Sequence, residues 1–74
     1  MTVQDMISRI SALPPNAEIL SNSGWECDPT DIGGIWYNPG LNEVHLTQGG
    51  KYQKEYGYKP GFKCIWNYVD DEMD

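Results

Sequence analysis

The fold is decided by the stretch IGGIWYNPGLNEVHLT, residues 32–47. Residues 32–37 and 43–47 are rich in β-branched and aromatic side chains, and a five-residue connection containing Pro39 and Gly40 separates them. Two β-prone runs joined in this way are typical of a β-hairpin. The sequence therefore predicts two neighbouring antiparallel strands at the centre of the chain.

The second arm of this hairpin alternates apolar and polar residues. Successive side chains of a strand point to opposite faces of the sheet. We therefore expect Val44 and Leu46 to face the core, and Glu43, His45 and Thr47 to face water.

An amphipathic helix is predicted before the hairpin. Apolar residues recur there at steps of three and four, namely Val3, Met6, Ile7, Ile10 and Leu13. This spacing places them on one face of a helix. Thr2 can cap the first turn, and Asp5 lies where a carboxylate favours the helix dipole. Pro14 and Pro15 should end the helix, because proline cannot donate the helical hydrogen bond.

The rest of the chain is predicted from local composition. Residues 17–21 form a short apolar run that indicates a strand, and the acidic stretch 25–31 indicates a loop anchored by Trp25. Residues 51–59 fit either a loop or an irregular hairpin. Residues 62–69 alternate and predict a last strand, followed by an acidic tail at 70–74.

These elements predict an α+β fold with one domain. A chain of 74 residues holds one hydrophobic core. We expect one N-terminal helix packed on a small antiparallel sheet of three to four strands, because no second helical pattern is present to make a parallel crossover. The predicted domain covers residues 1–69, and residues 70–74 form a flexible acidic tail.

Two glycine pairs are expected to serve backbone geometry. Gly33-Gly34 lies inside an apolar run and predicts a bulge or a close approach of a neighbouring strand. Gly49-Gly50 predicts a turn with positive φ. Neither pair opens a helical pattern, so no phosphate-binding glycine loop is predicted.

The sequence contains no run that is long and apolar enough to span a membrane, and no signal peptide pattern. We therefore expect a cytoplasmic protein. Cys27 and Cys64 could form a disulfide, but reduced thiols are favoured without export. Their spacing matches no zinc motif.

Catalysis is not expected. The chain has a single histidine, His45, and it is predicted to lie on the solvent face of a strand. The carboxylates lie in loops and in the tail, where their pKa values should stay ordinary. No catalytic, cofactor-binding or metal-binding residue is therefore predicted.

The charge pattern suggests a binding function. The chain has a net charge of −6, and its acidic residues are concentrated outside residues 46–69. If these carboxylates share one face, they can bind a basic protein surface in place of nucleic acid. The partner-binding residues predicted on this basis are Glu26, Asp28, Asp31, Glu43, Asp70, Asp71 and Glu72. The alternative is that the negative charge only keeps a small protein soluble.

A second hypothesis rests on the tyrosine- and lysine-rich segment 51–63. Aromatic rings interleaved with ammonium groups can stack on bases and contact phosphates. A small-molecule or nucleotide site in a dimeric protein would use Tyr52, Lys54, Tyr56, Tyr58 and Lys59. Alternatively, the tyrosines cover the sheet while the lysines extend into solvent, or they anchor a protein interface.

The start of the chain resembles small phage and prophage accessory proteins. The resemblance rests on MTVQDMI, residues 1–7, and LPPNAEI, residues 13–19, where an amphipathic helix leads through a proline stop into a first strand. It covers about a quarter of the chain. It implies a protein of the anti-CRISPR kind, some of which imitate DNA and block a CRISPR-Cas subunit. We expect the protein to be a monomer or a homodimer and to contact neither nucleic acid nor membrane directly.

Overall fold

The computed structural model describes residues 1–22 and 31–71. Its elements are α1 (Val3–Ile10), β1 (Glu18–Asn22), β2 (Gly34–Asn38), β3 (Glu43–Thr47), α2 (Lys51–Tyr56), β4 (Lys63–Asn67) and α3 (Tyr68–Asp71). The α+β class, with an N-terminal helix and a four-stranded sheet, is confirmed. Within the described ranges, no helix has the length and apolar character needed to cross a bilayer.

The sheet is mixed, with strand order β1-β3-β2-β4. β2 is antiparallel to β3 and to β4, as predicted for the hairpin and the last strand. β1 instead pairs in parallel with β3, so the expectation of an antiparallel sheet does not hold for this pair. Asn22 and Gly34 both align with Thr47, so β1 ends where β2 begins. The chain reverses in the β2–β3 hairpin, and β3 returns between β1 and β2. β1 and β3 are therefore parallel without a crossover helix.

One face of the sheet is covered by α1. The guanidinium carbon of Arg9 lies 4.4 Å from the ring centre of Trp66. Ile10 and Leu13 line a groove together with Ile19 and Val44. The helix begins with the predicted cap, since the Thr2 hydroxyl accepts from the Asp5 N–H and the Asp5 carboxylate accepts from the Thr2 N–H, both at 3.1 Å. It ends at Ile10, before the predicted proline stop.

The opposite face is covered by α2, where the sequence predicted a loop or an irregular hairpin. The side chain of Gln53 holds this helix on the sheet, because its Oε1 accepts from Trp36 Nε1 at 3.1 Å and from Thr47 Oγ1 at 2.9 Å. Tyr52 and Tyr56 remain exposed. The helix therefore lacks the apolar stripe from which a helix is predicted in a sequence.

The predicted exposure of His45 and Thr47 on β3 is wrong, because this second layer covers their face of the sheet. Val44 is buried as expected, but Thr47 is also buried, with 2% of its surface exposed. The side chain of His45 is 13% exposed. Polar residues on this face meet polar and aromatic groups of α2 and of residues 57–62 instead of water.

The last strand ends in a buried amide. Asn67 has no exposed surface, and its Oδ1 accepts from the Val69 N–H at 3.1 Å and from the Gly50 N–H at 3.4 Å. Its Nδ2 donates to the Gly50 carbonyl at 3.3 Å. This side chain joins the end of β4 to the start of α2. Asp70 and Asp71 continue into α3 rather than beginning the predicted tail, and residues 72–74 lie outside the described ranges.

The backbone roles predicted for the two glycine pairs are confirmed, but the expectation that neither pair opens a helix is wrong for Gly49-Gly50, because Gly50 is the N-cap of α2. Gly49 and Gly50 have φ values of 71° and 120°. A Cβ on Gly33 would lie 1.8 Å from the Gln48 carbonyl oxygen, so the backbones meet at a distance that only glycine permits. Gly33 also donates to the Thr47 carbonyl and accepts from the Tyr68 N–H, each at 2.9 Å.

We predict that Gly33→Ala lowers the free energy of unfolding by about 3 kcal/mol or more, because the added methyl group forces two backbones apart. The matched control is Gly40→Ala, whose added methyl group would have Asn38 Oδ1 as its nearest neighbour, at 3.3 Å, and would meet no backbone atom. It should change stability by less than about 1 kcal/mol. Urea unfolding followed by tryptophan fluorescence measures both, and equal stabilities would contradict the prediction.

Candidate functional site

The most organised group of polar side chains lies on the sheet face that α2 covers. His45 Nε2 is 3.0 Å from Glu43 Oε1, and His45 Nδ1 is 3.0 Å from the Tyr58 hydroxyl. The Asn22 amide donates to the same hydroxyl. With the ring proton on Nε2, Asn22 donates to Tyr58, Tyr58 to His45, and His45 to Glu43. We call these four residues the His45 chain.

Aromatic rings enclose the His45 chain. The Phe62 ring lies 4.5 Å from the His45 ring and 5.2 Å from the Tyr58 ring, measured between centres. The Trp36 ring lies 5.9 Å from Tyr58. Tilted and edge-on contacts of this kind are favourable. Together with the hydrogen bonds, they fasten residues 57–62 to the sheet.

In this geometry the His45 chain orients the side chain of Tyr58. General acid–base chemistry requires a ring nitrogen that can reach a reacting group. Both nitrogens of His45 have partners within the chain. Of the two nitrogens, Nδ1 orients the hydroxyl of Tyr58, whose ring lines a surface depression.

That depression has a volume of about 350 Å³. Its walls are Tyr56, Gly57, Tyr58, Lys59, Pro60 and Phe62. The Lys59 ammonium lies 5.2 Å from the centre of the Tyr58 ring. Three of the five residues predicted for a ligand site, Tyr56, Tyr58 and Lys59, therefore come together here.

The other two predicted ligand residues lie outside the depression. Lys54 Nζ is 2.9 Å from Asp70 Oδ1, and the hydrogen bond from this ammonium to Asp70 raises the pKa of Lys54. Tyr52 is 75% exposed, with its ring 4.9 Å from that of Tyr56. The alternative that all three tyrosines cover the sheet is wrong for Tyr52 and Tyr56, and holds for Tyr58 alone.

The predicted acidic residues have different environments. Glu43 belongs to the His45 chain, Asp70 pairs with Lys54, and Asp31 is exposed. Asp31 precedes β2 at the end of the sheet where β3 ends, whereas Glu43 begins β3 at the opposite end. Asp71 lies in α3, and the remaining predicted positions, Glu26, Asp28 and Glu72, fall outside the described residues.

The lysines are concentrated in residues 51–63, beside the carboxylates of Glu55 and Asp70. All four lysines belong to α2, to the segment after it, or to the start of β4. The exposed carboxylates of α1, β1 and residues 31–33, which lead into β2, are Asp5, Glu18 and Asp31. Hydrogen bonds from the Thr2 backbone and hydroxyl lower the pKa of Asp5.

Apolar side chains are exposed on the same elements as these carboxylates. Val3, Ile7 and Ile19 have 77%, 53% and 52% of their surface exposed. Glu18 does not belong with them, because it aligns with Glu43 on the opposite face of the sheet. We call the remaining residues the α1–β1 surface, comprising Val3, Asp5, Ile7, Ile19 and Asp31.

The described residues hold no group of three histidine, cysteine or acidic side chains that could bind a metal ion. Cys64 has a free thiol, and partial burial raises its pKa. Its possible partner Cys27 lies outside the described ranges.

No protein-family model matches the chain, and no curated protein or solved structure is significantly similar to it.

Sequence reasoning missed the His45 chain. Its members come from β1, β3 and the segment after α2, and Asn22 and Tyr58 are 36 positions apart. The alternation of β3 also indicated a solvent-facing imidazole. The one available signal was the concentration of tyrosines after Gly50, which indicated a covering layer without locating it.

We predict that Tyr58→Phe lowers the free energy of unfolding by about 1 kcal/mol, because His45 Nδ1 and the Asn22 amide lose their shared partner. Tyr56→Phe is the matched control, since Tyr56 is 69% exposed. It should change stability by less than about 0.5 kcal/mol. Equal effects of the two substitutions in urea unfolding would mean that the His45 chain does not hold residues 57–62 in place.

Proposed function

We propose that this protein is a non-enzymatic interaction protein that binds a partner with a basic surface through the α1–β1 surface. One observation carries the proposal. Exposed apolar side chains and carboxylates occur together on α1, β1 and the entry to β2, whereas three of the four lysines, Lys51, Lys54 and Lys59, lie in α2 or in the segment after it.

The apolar part of the α1–β1 surface supports binding. α1 has an amphipathic pattern, yet it has no buried residue. Val3 and Ile7 leave more than half of their surface in water, as does Ile19 on the edge strand β1. Adjoining exposed apolar side chains rimmed by polar groups are typical of protein interaction sites.

The charged part supports the choice of partner. The chain carries a net charge of −6, and Asp5 and Asp31 are exposed on this surface. Arg9, on the same helix, lies over Trp66. A negative field of this kind accelerates encounter with a basic surface and repels nucleic acid.

The resemblance at the start of the chain supports a narrower form of the proposal. The partner would be a nucleic-acid-binding site of a host defence protein, such as a CRISPR-Cas subunit, and the carboxylates would occupy the positions of phosphates. The protein would then act as an inhibitor in the cytoplasm of a phage-infected host. Asp31 is the residue common to the predicted acidic set and the α1–β1 surface.

The test uses the partner captured from the native host, purified and titrated by biolayer interferometry. Asp31→Lys should weaken binding about tenfold, while Glu55→Lys on α2, which makes the same change in net charge, should leave it within about twofold. Likewise, Ile7→Ser should weaken binding more than Tyr52→Ser, because both side chains are exposed but only Ile7 lies on the α1–β1 surface.

Salt provides the second measurement. Affinity should fall between low and high ionic strength, because exposed charges are screened. Binding that is indifferent to salt, or equally sensitive to the Asp31 and Glu55 variants, would contradict the proposal. Competition by the partner's own nucleic acid supports the inhibitor form, and simultaneous binding of both rejects it.

A further inference from the structure

We infer that the depression beside the His45 chain binds a planar aromatic ring that carries one anionic group. This site lies in the layer formed by α2 and residues 57–62, and α1 covers the other face of the sheet. The inference therefore goes beyond the proposed protein partner and does not depend on it.

The floor of the depression is held in place before any ligand arrives. Tyr58 is fixed by His45 Nδ1 at 3.0 Å and by the Asn22 amide. Phe62 packs against the His45 ring at 4.5 Å and against Tyr58 at 5.2 Å. Rings that are already oriented lose little conformational freedom on binding, which favours stacking of a flat ligand.

The wall adds a further aromatic surface. Tyr56 has 69% of its surface exposed, and its ring lies 4.9 Å from that of Tyr52. Gly57 separates Tyr56 from Tyr58, and no atom lies within 4 Å of the position where its Cβ would be. A ligand ring can therefore approach the backbone between the two tyrosines.

The charge of the lining residues favours an anionic ligand. Lys59 is the one charged residue among the six that line the depression, and its ammonium lies 5.2 Å from the Tyr58 ring centre. An ammonium beside aromatic walls complements a ligand that joins a π-system to a carboxylate or a phosphate. A cationic ligand would meet a like charge.

Size limits the ligand further. A volume of about 350 Å³ is at the lower end of the range for small-molecule sites. It accommodates one ring system with its anionic substituent. Larger ligands such as dinucleotides would extend into solvent.

The experiment titrates the ¹⁵N-labelled full-length protein with four probes and follows backbone amide shifts. AMP and indole-3-acetate each combine a ring with an anion, as phosphate and as carboxylate, while adenosine has only the ring and inorganic phosphate only the anion. We expect AMP or indole-3-acetate to shift the amides of Gly57, Lys59 and Phe62 with a Kd below about 1 mM. The stronger of the two identifies the anionic group.

Two lysine variants test the role of charge. Lys59→Gln should weaken binding of the anionic probe about fivefold. Lys51→Gln removes the same charge from α2 outside the depression and should change the Kd by less than about twofold.

Three results would overturn the inference. The first is the absence of shifts at these amides with every probe up to about 10 mM. The second is adenosine or inorganic phosphate binding as tightly as AMP and indole-3-acetate. The third is equal weakening by the two lysine variants. None of these measurements involves the α1–β1 surface, so failure here and failure of the proposed function are distinguishable.

Discussion

The contact of Gly33 with the end of β3 is the constraint on which the rest of the structure depends. Its N–H donates to Thr47, its carbonyl accepts from Tyr68, and a Cβ at this position would lie 1.8 Å from the Gln48 carbonyl oxygen. One residue thus joins the central hairpin to the segment after β4. Because the backbones approach so closely, Gly49 must turn with positive φ, and the chain then enters α2 directly.

Polar contacts take over much of the stabilising role of a hydrophobic core. Among the described residues, the buried apolar side chains are Ile35, Trp36, Val44 and Val69. Gln53 and Asn67 anchor α2 and β4, and the side-chain oxygen of each accepts from donors that would otherwise be unpaired. Unpaired buried groups are expensive, so these amides specify one packing of the second layer. The His45 chain extends the same principle to residues 57–62.

This division of the molecule underlies both proposed binding activities. Covering one sheet face with a polar and aromatic layer places Lys51, Lys54, Lys59 and the exposed tyrosines on that side. The helix α1, which contributes no buried residue, leaves its apolar stripe and nearby carboxylates exposed on the other side. A protein partner and a small anionic ligand would therefore meet different elements, and each site can be altered without changing the other.

Local sequence by itself determined the capped helix α1, the β2–β3 hairpin, the last strand and the roles of Gly33 and Gly49, because capping, turn formation and short-period patterns act over a few residues. Tertiary structure alone decided the parallel pairing of β1 with β3 and the helix α2, whose contact with the sheet is polar and leaves no apolar period. It also decided the burial of His45, because a strand's alternation records two faces without recording what covers them. The depression also depends on tertiary structure, because Tyr58 contacts His45 and Asn22 only when distant segments pack together.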